Sequence, residues 1–235
     1  MVRSRVQVGE GEAVPPVLGV DGARGGWVGV RWDGADVTCA FGADLAELVD
    51  AVAPVALVAV DMPIELQADG TRAAEDLARR LLGPRRSSLF QSPCLGALDF
   101  ADHDYAGANA WSKATVGRGL SKQAWFLVPK IREVRAFARS STVAVREAMP
   151  ELSFRAMHGG VPLPHPKLTW SGLRLRVRLL AEHGIDLPDD PGAAGRVAPD
   201  DLLDAAAVAW SARRIAGGTA ECVPLDGDPA AAIWW

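Results

Sequence analysis

Short apolar runs separated by glycine-rich and polar segments predict a β-sheet in the first quarter of the chain. Residues 17–20 and 27–30 are apolar and enclose a glycine-rich segment, which is typical of a β-hairpin. A third strand is expected over residues 37–41. The nearly continuous apolar run at 55–60 indicates a parallel strand that is covered on both faces.

Apolar residues at helical spacing predict helices between and after these strands. The first is expected to be capped by Asp44, and the third to be kinked or split at Pro129. A fifth strand is expected over 142–148, followed by a loop from 150 to 160. The last helix is apolar almost all round beyond its first turn and should be buried. The helices are expected over residues 44–52, 72–82, about 120–139, 167–182 and 199–216.

This alternation of strands and helices predicts an α/β fold, and the composition is that of a globular domain. The chain has 235 residues, 49% of them hydrophobic, and a mean hydropathy of +0.08. Residues 1–16 are polar and are expected to form a disordered extension, with one domain over 17–235. The sequence lacks an apolar stretch near the ~20 residues that a membrane span requires. Three scattered cysteines argue against a disulfide framework and favour a reducing, cytoplasmic location.

The net charge of −4 conceals a separation of basic and acidic residues along the sequence. Residues 72–185 contain 18 Lys and Arg against 9 Asp and Glu, whereas the two flanks together contain 7 against 20. A basic surface beside a group of carboxylates would suit a phosphoester substrate such as a nucleic acid or a nucleotide. Solvated helix faces that are unevenly distributed would give the same count.

Acidic residues recur where the predicted elements begin or end. Asp21 follows the first strand, Asp61 the fourth, and Glu147 lies near the end of the fifth, while Asp201 and Asp204 share a face of the late helix. The carboxyl ends of parallel strands meet at one edge of a sheet, where α/β proteins place their sites. Clustered carboxylates repel one another unless a cation lies among them, and Mg²⁺ and Mn²⁺ prefer oxygen ligands. The pattern predicts these five as catalytic residues and all but Asp204 as metal ligands.

Each of these acids also has an ordinary structural explanation. Asp21 and Asp61 could cap turns, and Glu147 could be an exposed charge at a strand edge. Asp201 and Asp204 could complement the helix dipole. The coincidence of all of them at one predicted edge is what favours a metal site.

The other chemistry-bearing residues give weaker signals. Arg85, Arg86, Lys130 and Lys167 could contact phosphates, although an isolated basic residue is more often a surface residue. The four histidines are dispersed without an i, i+4 pair, which argues against a zinc hydrolase. The glycines of the first hairpin do not form a dinucleotide-binding fingerprint, and the sequence has no Gly-x-Ser-x-Gly elbow.

Several motifs resemble domain-of-unknown-function family 429, which is described as predicted ribonuclease H-like nucleases. The motifs occupy residues 19–22 with 26–27, 60–64, 85–88, 119–125, 129–134, 147 with 150–154, 200–205 and 232–234. The sequence departs from the family pattern at Met149, Gln91, Leu95 and Arg135, where His, Pro, Arg and Asp are expected. These departures concern substrate contacts more than metal binding.

The resemblance implies a ribonuclease H-like mixed sheet, with three antiparallel strands followed by parallel strands, flanked by helices. It also implies a helical and loop insertion at about residues 64–140 and an acidic site at the five carboxylates. It adds polar positions of substrate-contact type, which are Ser87, Ser121, Lys122, Gln123, Lys130 and Lys167.

Three functions are consistent with the sequence. The first is a nuclease or phosphodiesterase that uses carboxylate-held Mg²⁺ or Mn²⁺ to activate water. The second is a nucleotide-binding phosphotransferase or ATPase built on the same sheet, although such proteins usually need two domains of this kind. The third is a binding module without catalytic activity. The oligomeric state is left open.

Overall fold

A five-stranded mixed sheet lies at the centre of the structure, in the order β3-β2-β1-β4-β5. The structure is a computed structural model that describes residues 14–225 and 228–235; residues 1–13 of the expected extension lie outside this range. The first three strands are antiparallel, and the last two are parallel to β1. The strands are β1 Val17–Ala23, β2 Gly26–Trp32, β3 Val37–Gly42, β4 Leu57–Val60 and β5 Ala144–Glu147.

Helices flank this sheet, so the α/β prediction is confirmed at the level of a mixed sheet with helical cover. Two short strands, β6 Cys222–Val223 and β7 Ile233–Trp234, pair with each other. Within the described residues, even the longer helices fall short of the length and apolarity needed to cross a membrane. The helices are α1 Leu45–Val52, α2 Ala73–Leu82, α3 Tyr105–Val116, α4 Lys122–Ser140, α5 Pro150–Met157, α6 Trp170–Glu182 and α7 Pro199–Ala216.

The structure confirms some local predictions and corrects others. Asp44 caps α1 by accepting a hydrogen bond from the Glu47 backbone N–H. Helix α4 continues through Pro129, so the expected split does not occur. The predicted loop after Pro150 is wrong, because α5 begins at that residue. Proline is well suited to the first position of a helix, and five consecutive buried residues of α5 give no amphipathic period to detect.

Helix α7 packs directly against the central strand β1. A Cβ atom placed on Gly19 would lie 2.1 Å from the backbone nitrogen of Ala209 and 2.2 Å from the carbonyl oxygen of Ala205. Only glycine allows two backbones to approach this closely. This contact fixes the start of α7 beside the carboxyl end of β1.

The sheet has two faces that pack against different helices. Val17, Leu57 and Ala148 pack with Val208 and Ala212 of α7. The alternate strand residues, including Val20 and Val60, pack on the other face against side chains of α1 and α4. Because side chains alternate along a strand, a shift of one residue moves a functional group from one face to the other.

Candidate metal centre

Three aspartates from separate elements meet on the α7 face of the sheet. Asp21 lies within β1, Asp61 directly follows β4, and Asp204 lies in the second turn of α7. One carboxylate oxygen from each residue lies within 4.8 Å of the others. Asp21 and Asp204 are buried and Asp61 is partly buried. The structure thus brings together three of the five predicted acids.

The register of the parallel strands explains why Asp21 and Asp61 are neighbours. Val20 of β1 is paired with Val60 of β4, and the Asp61 backbone N–H donates to the Val20 carbonyl at 3.0 Å. The residues that follow, Asp21 and Asp61, therefore lie side by side and face α7. The approach of α7 to Gly19 places Asp204 above them, since Asp204 immediately precedes Ala205.

These three carboxylates are held in an unfavourable electrostatic environment. Burial raises the pKa of Asp21 well above its usual value, and Asp61, Asp204 and Asp201 raise it further. Burial and the charge of Asp204 also raise the pKa of Asp61. For Asp204, burial raises the pKa more than Lys167 lowers it. A group of acids that resists ionisation in the absence of a cation is suited to binding one.

Lys167 supplies part of the missing positive charge. Its Nζ lies 2.6 Å from Asp204 Oδ2 and 3.1 Å from Asp200 Oδ2. Burial lowers the pKa of Lys167, but the two acids outweigh that effect and raise it. The ammonium group therefore stays charged, but it is shared between Asp204 and Asp200.

A second lysine, Lys130 of α4, lies on the other side of Asp21. Its Nζ donates to the Gly26 carbonyl and lies 4.1 Å from the centroid of the Trp27 ring. Burial lowers its pKa, whereas the charges of Glu133, Asp21 and Asp201 raise it. Lys130 and Lys167 are thus the predicted phosphate contacts that lie beside the carboxylates.

Comparison with protein families gives one match across almost the entire chain. The family model described as "Protein of unknown function (DUF429)" matches residues 19–228. The chain belongs to the DUF429 family. A search of curated proteins and a search of solved structures return no match.

Glu147 of this DUF429 chain does not join the three aspartates, although its charge contributes to the raised pKa of Asp61. It pairs with Val60, so Ala148, and not Glu147, occupies the position beside Asp61. Its carboxylate accepts two hydrogen bonds from Arg72, at 2.9 and 2.5 Å, and a third from the Ile64 backbone at 3.2 Å. The structure therefore pairs Glu147 with an arginine.

Asp201 lies near the three aspartates but is not one of them. It is partly buried, and burial followed by Asp200 raises its pKa. Its charge raises the pKa of both Asp21 and Lys130. Asp201 is close enough to influence the site electrostatically, but the group of three within 4.8 Å consists of Asp21, Asp61 and Asp204.

The remaining predicted contacts occupy two other places in the DUF429 chain. Arg85 pairs with Glu151, with Nε 3.1 Å from Oε1, and donates to the His165 carbonyl. Arg86 and Ser87 are exposed on the same 3-10 helix as Arg85. Ser121 caps α4 by accepting a hydrogen bond from the Ala124 N–H at 3.1 Å. The exposed side chains of the first turn of α4 are those of Lys122 and Gln123.

Two residues that form ion pairs with predicted site residues were not predicted from the sequence. Asp200 binds Lys167, and its spacing of four residues from Asp204 was a signal that both acids lie on one helix face. Arg72 neutralises Glu147, but a separation of 75 positions in the sequence gives no signal of contact. At the family departures, Met149 is buried at the start of α5, and Arg135 donates to the Ile64 carbonyl.

Proposed function

We propose that this DUF429 chain is a divalent-metal-dependent nuclease or phosphodiesterase with a ribonuclease H-like fold. The observation that carries the proposal is the convergence of Asp21, Asp61 and Asp204 within 4.8 Å, with Lys167 as their close cationic partner. Three antiparallel strands followed by parallel strands, with acids on two adjacent central strands, match the arrangement that the family resemblance implies.

The donor set fits a hard divalent cation. All three side chains offer carboxylate oxygens, which Mg²⁺ and Mn²⁺ prefer over the nitrogen and sulfur ligands typical of structural zinc sites. The raised pKa values of Asp21 and Asp61 indicate that negative charge in this place lacks compensation. Asp21, Asp61 and Asp204 would therefore hold Mg²⁺ or Mn²⁺, which also agrees with the cofactor expected from the sequence.

A bound cation of this type makes water more acidic and stabilises negative charge on phosphate oxygens. The chain itself supplies the positions of the ligands. Lys167 Nζ, bonded to Asp204 Oδ2, opposes the effect of burial on the pKa of that carboxylate and restricts its orientation. Lys130 places a second ammonium group near Asp21, where it would attract the phosphate of a substrate. Asp201, partly exposed beside them, is available to accept a proton from water.

The proposal is tested by metal-dependent hydrolysis of a small phosphodiester, methyl 4-nitrophenyl phosphate, by the purified chain. Release of nitrophenolate should require Mg²⁺ or Mn²⁺ and stop when EDTA is added. Asp21→Asn should lower the rate by about 100-fold or more, because removing a charged group that acts on the transition state has effects of that order.

Asp69→Asn, the same change at an exposed acid, is the matched control and should keep the wild-type rate. Circular dichroism should show the same helix content in all three proteins. Unchanged activity in Asp21→Asn would contradict the proposed mechanism. Metal binding without hydrolysis of this ester or of any oligonucleotide would favour a binding module.

A further inference from the structure

Two exposed aromatic side chains are each close in sequence to a lysine that lies beside the three aspartates. Within the described residues, the large apolar side chains that are exposed include Phe126, which is 73% exposed, and Trp170, which is 76% exposed. Phe126 precedes Lys130 by four residues on α4, and Trp170 follows Lys167 by three residues at the start of α6. The other aromatic residues on apolar elements are mostly buried, as in the case of Trp27.

On the α6 side, Trp170 belongs to a basic surface. The guanidinium carbon of Arg174 lies 5.7 Å from the centroid of its ring. One turn further along α6, Arg178 joins Arg174, His158 and His165 in lining a groove of about 580 Å³. Over residues 152–185 the sequence contains a single acid, Glu182. A groove of this charge is complementary to a polyanion.

The groove is connected to the carboxylate site by a short segment of chain. His165 lines the groove and Lys167, two residues later, binds Asp204. Leu168, which is 81% exposed, and then Trp170 follow. Three residues span at most roughly 10 Å, so the ring of Trp170 is within a few nucleotides of the three aspartates.

On the α4 side, the same combination of aromatic and cationic groups recurs. Residues four apart lie on one face of a helix, about 6 Å apart along its axis, so Phe126 and Lys130 share a face. Lys130 reaches toward Asp21, whereas Phe126 stays in solvent. Lys122, which is also exposed, lies one turn before Phe126 on this helix. Each of the two lysines beside the aspartates thus has an exposed aromatic residue three or four positions away in the sequence.

We propose that the rings of Trp170 and Phe126 stack on bases of a single-stranded nucleic acid whose backbone passes over Asp21, Asp61 and Asp204. The proposal rests on the proposed function, because it names the substrate of the same site. Bases stack on aromatic rings while lysine and arginine neutralise the phosphates, and this combination binds single strands. In a duplex the base faces are already stacked on one another and are not available to these rings.

The proposal is tested by the binding of a fluorescently labelled 12-nucleotide single strand, followed by anisotropy in EDTA and again in Ca²⁺. Trp170→Ala and Phe126→Ala should each raise the Kd by about 5- to 150-fold, the range found for removal of one stacked base contact. Trp170→Phe, which keeps an aromatic face, should recover most of the affinity. Arg174→Ala should weaken binding and reduce its dependence on salt.

Leu225→Ala is the matched control, because it removes an apolar side chain that is 81% exposed elsewhere on the surface. It should leave the Kd unchanged. A blunt duplex of the same length should bind more weakly than the single strand and should not respond to Trp170→Ala.

The outcomes separate this proposal from the proposed function. Hydrolysis of the small ester by the wild-type chain tests the metal centre alone. If that hydrolysis is observed while Trp170→Ala and Phe126→Ala leave the Kd for the single strand unchanged, the stacking proposal is wrong. The proposed function of the metal centre is then unaffected. If Trp170→Ala converts a dimer into a monomer in sedimentation without changing the Kd, this surface is an interface between copies and the proposal is overturned.

Discussion

Two groups of acids lie close together at the carboxyl ends of the central strands, and the chain neutralises only one of them. In the first group, the buried Glu147 and Glu75 pair with Arg72 and Arg79, and Arg79 also contacts the more exposed Asp76. In the second group, Asp21, Asp61 and Asp204 have Lys167 as their close cationic partner. Both groups lose hydration on folding, so the difference between them lies in the compensating charge.

That difference separates a structural role from a binding role more clearly than acidity or burial does. Burial raises the pKa of Glu147 as it does that of Asp21, but for Glu147 the opposing influence is Arg72 bound through both oxygens. For Asp21 the neighbouring charges are mainly other carboxylates, which raise its pKa further. A group that the protein leaves short of positive charge is one that an external cation can stabilise.

The largest expected effect comes from breaking the neutralised group. Arg72→Met should lower the free energy of unfolding by about 3–5 kcal/mol, because it leaves Glu147 buried without its partner. Urea denaturation measures the change. Arg80→Met, at an exposed position of the same helix, should cost much less.

The double variant Arg72→Met with Glu147→Leu should recover much of the lost stability, since both charges are removed together. If Arg72→Met were no less stable than the wild type, Glu147 would have to be compensated in another way. The assignment of this group as structural would then be wrong.

A second prediction concerns the group that lacks compensation. At 100 times the Kd, Mn²⁺ should stabilise the wild-type chain by about 2.7 kcal/mol, and Asp61→Asn should lose most of this increment. Glu147→Gln should be less stable in EDTA but keep the Mn²⁺ increment. The measurement is the unfolding midpoint in urea, with EDTA or with Mn²⁺. Loss of the increment in Glu147→Gln instead of in Asp61→Asn would reverse the proposed roles.

The two groups should also differ in their dependence on pH. The folded pKa values of Asp21 and Asp61 are raised above the ordinary value of 3.8, so the folded state binds more protons than the unfolded state. In EDTA, stability should therefore fall as the pH rises from about 4 to about 8, the value to which the pKa of Asp61 is raised in the folded state.

Asp21→Asn should show a shallower fall with pH than the wild type in EDTA, which isolates the contribution of the aspartates from that of other titrating groups. Saturating Mn²⁺ should also flatten the wild-type profile, because the metal binds the deprotonated carboxylates. Identical profiles for the wild type and Asp21→Asn would mean that the pKa of Asp21 is not raised in the folded state.

Local pattern was sufficient to predict much of the sheet and three of the acids that meet. The apolar runs and the glycine-rich hairpin correctly indicated β1, β2 and β4, and they placed Asp21 and Asp61 at adjacent strand ends. Asp204 was predicted as a catalytic residue from its position in the first turns of a buried helix, but not as a metal ligand. Helix α3 gave no comparable signal, because its small and polar residues do not form an apolar stripe.

The location of Glu147 could not be predicted from pattern alone. The strand boundaries were known only to within a few residues, whereas a shift of one residue decides which face of the sheet a side chain occupies. The register between β4 and β5 pairs Val60 with Glu147, so Ala148 and not Glu147 occupies the position beside Asp61. The partners Arg72 and Lys167 depend on tertiary contacts over long sequence separations.

The smallest effect is expected at Lys167. It tests whether the balance of charge determines the stability and the metal binding of the site formed by the three aspartates. The side chain of Lys167 is 42% exposed, whereas its partner Asp204 is buried. Lys167→Met should therefore lower the free energy of unfolding in EDTA by about 1 kcal/mol, which is closer to the contribution of a surface ion pair than to that of a fully buried one. If the missing charge is what a metal supplies, the increment from saturating Mn²⁺ should then become larger than in the wild type, because the cation takes over the neutralisation of Asp204. Lys122→Met, at an exposed position of α4, should leave both quantities unchanged. A smaller Mn²⁺ increment in Lys167→Met would mean that the lysine orients Asp204 for the metal, and that orientation outweighs charge at this side of the site.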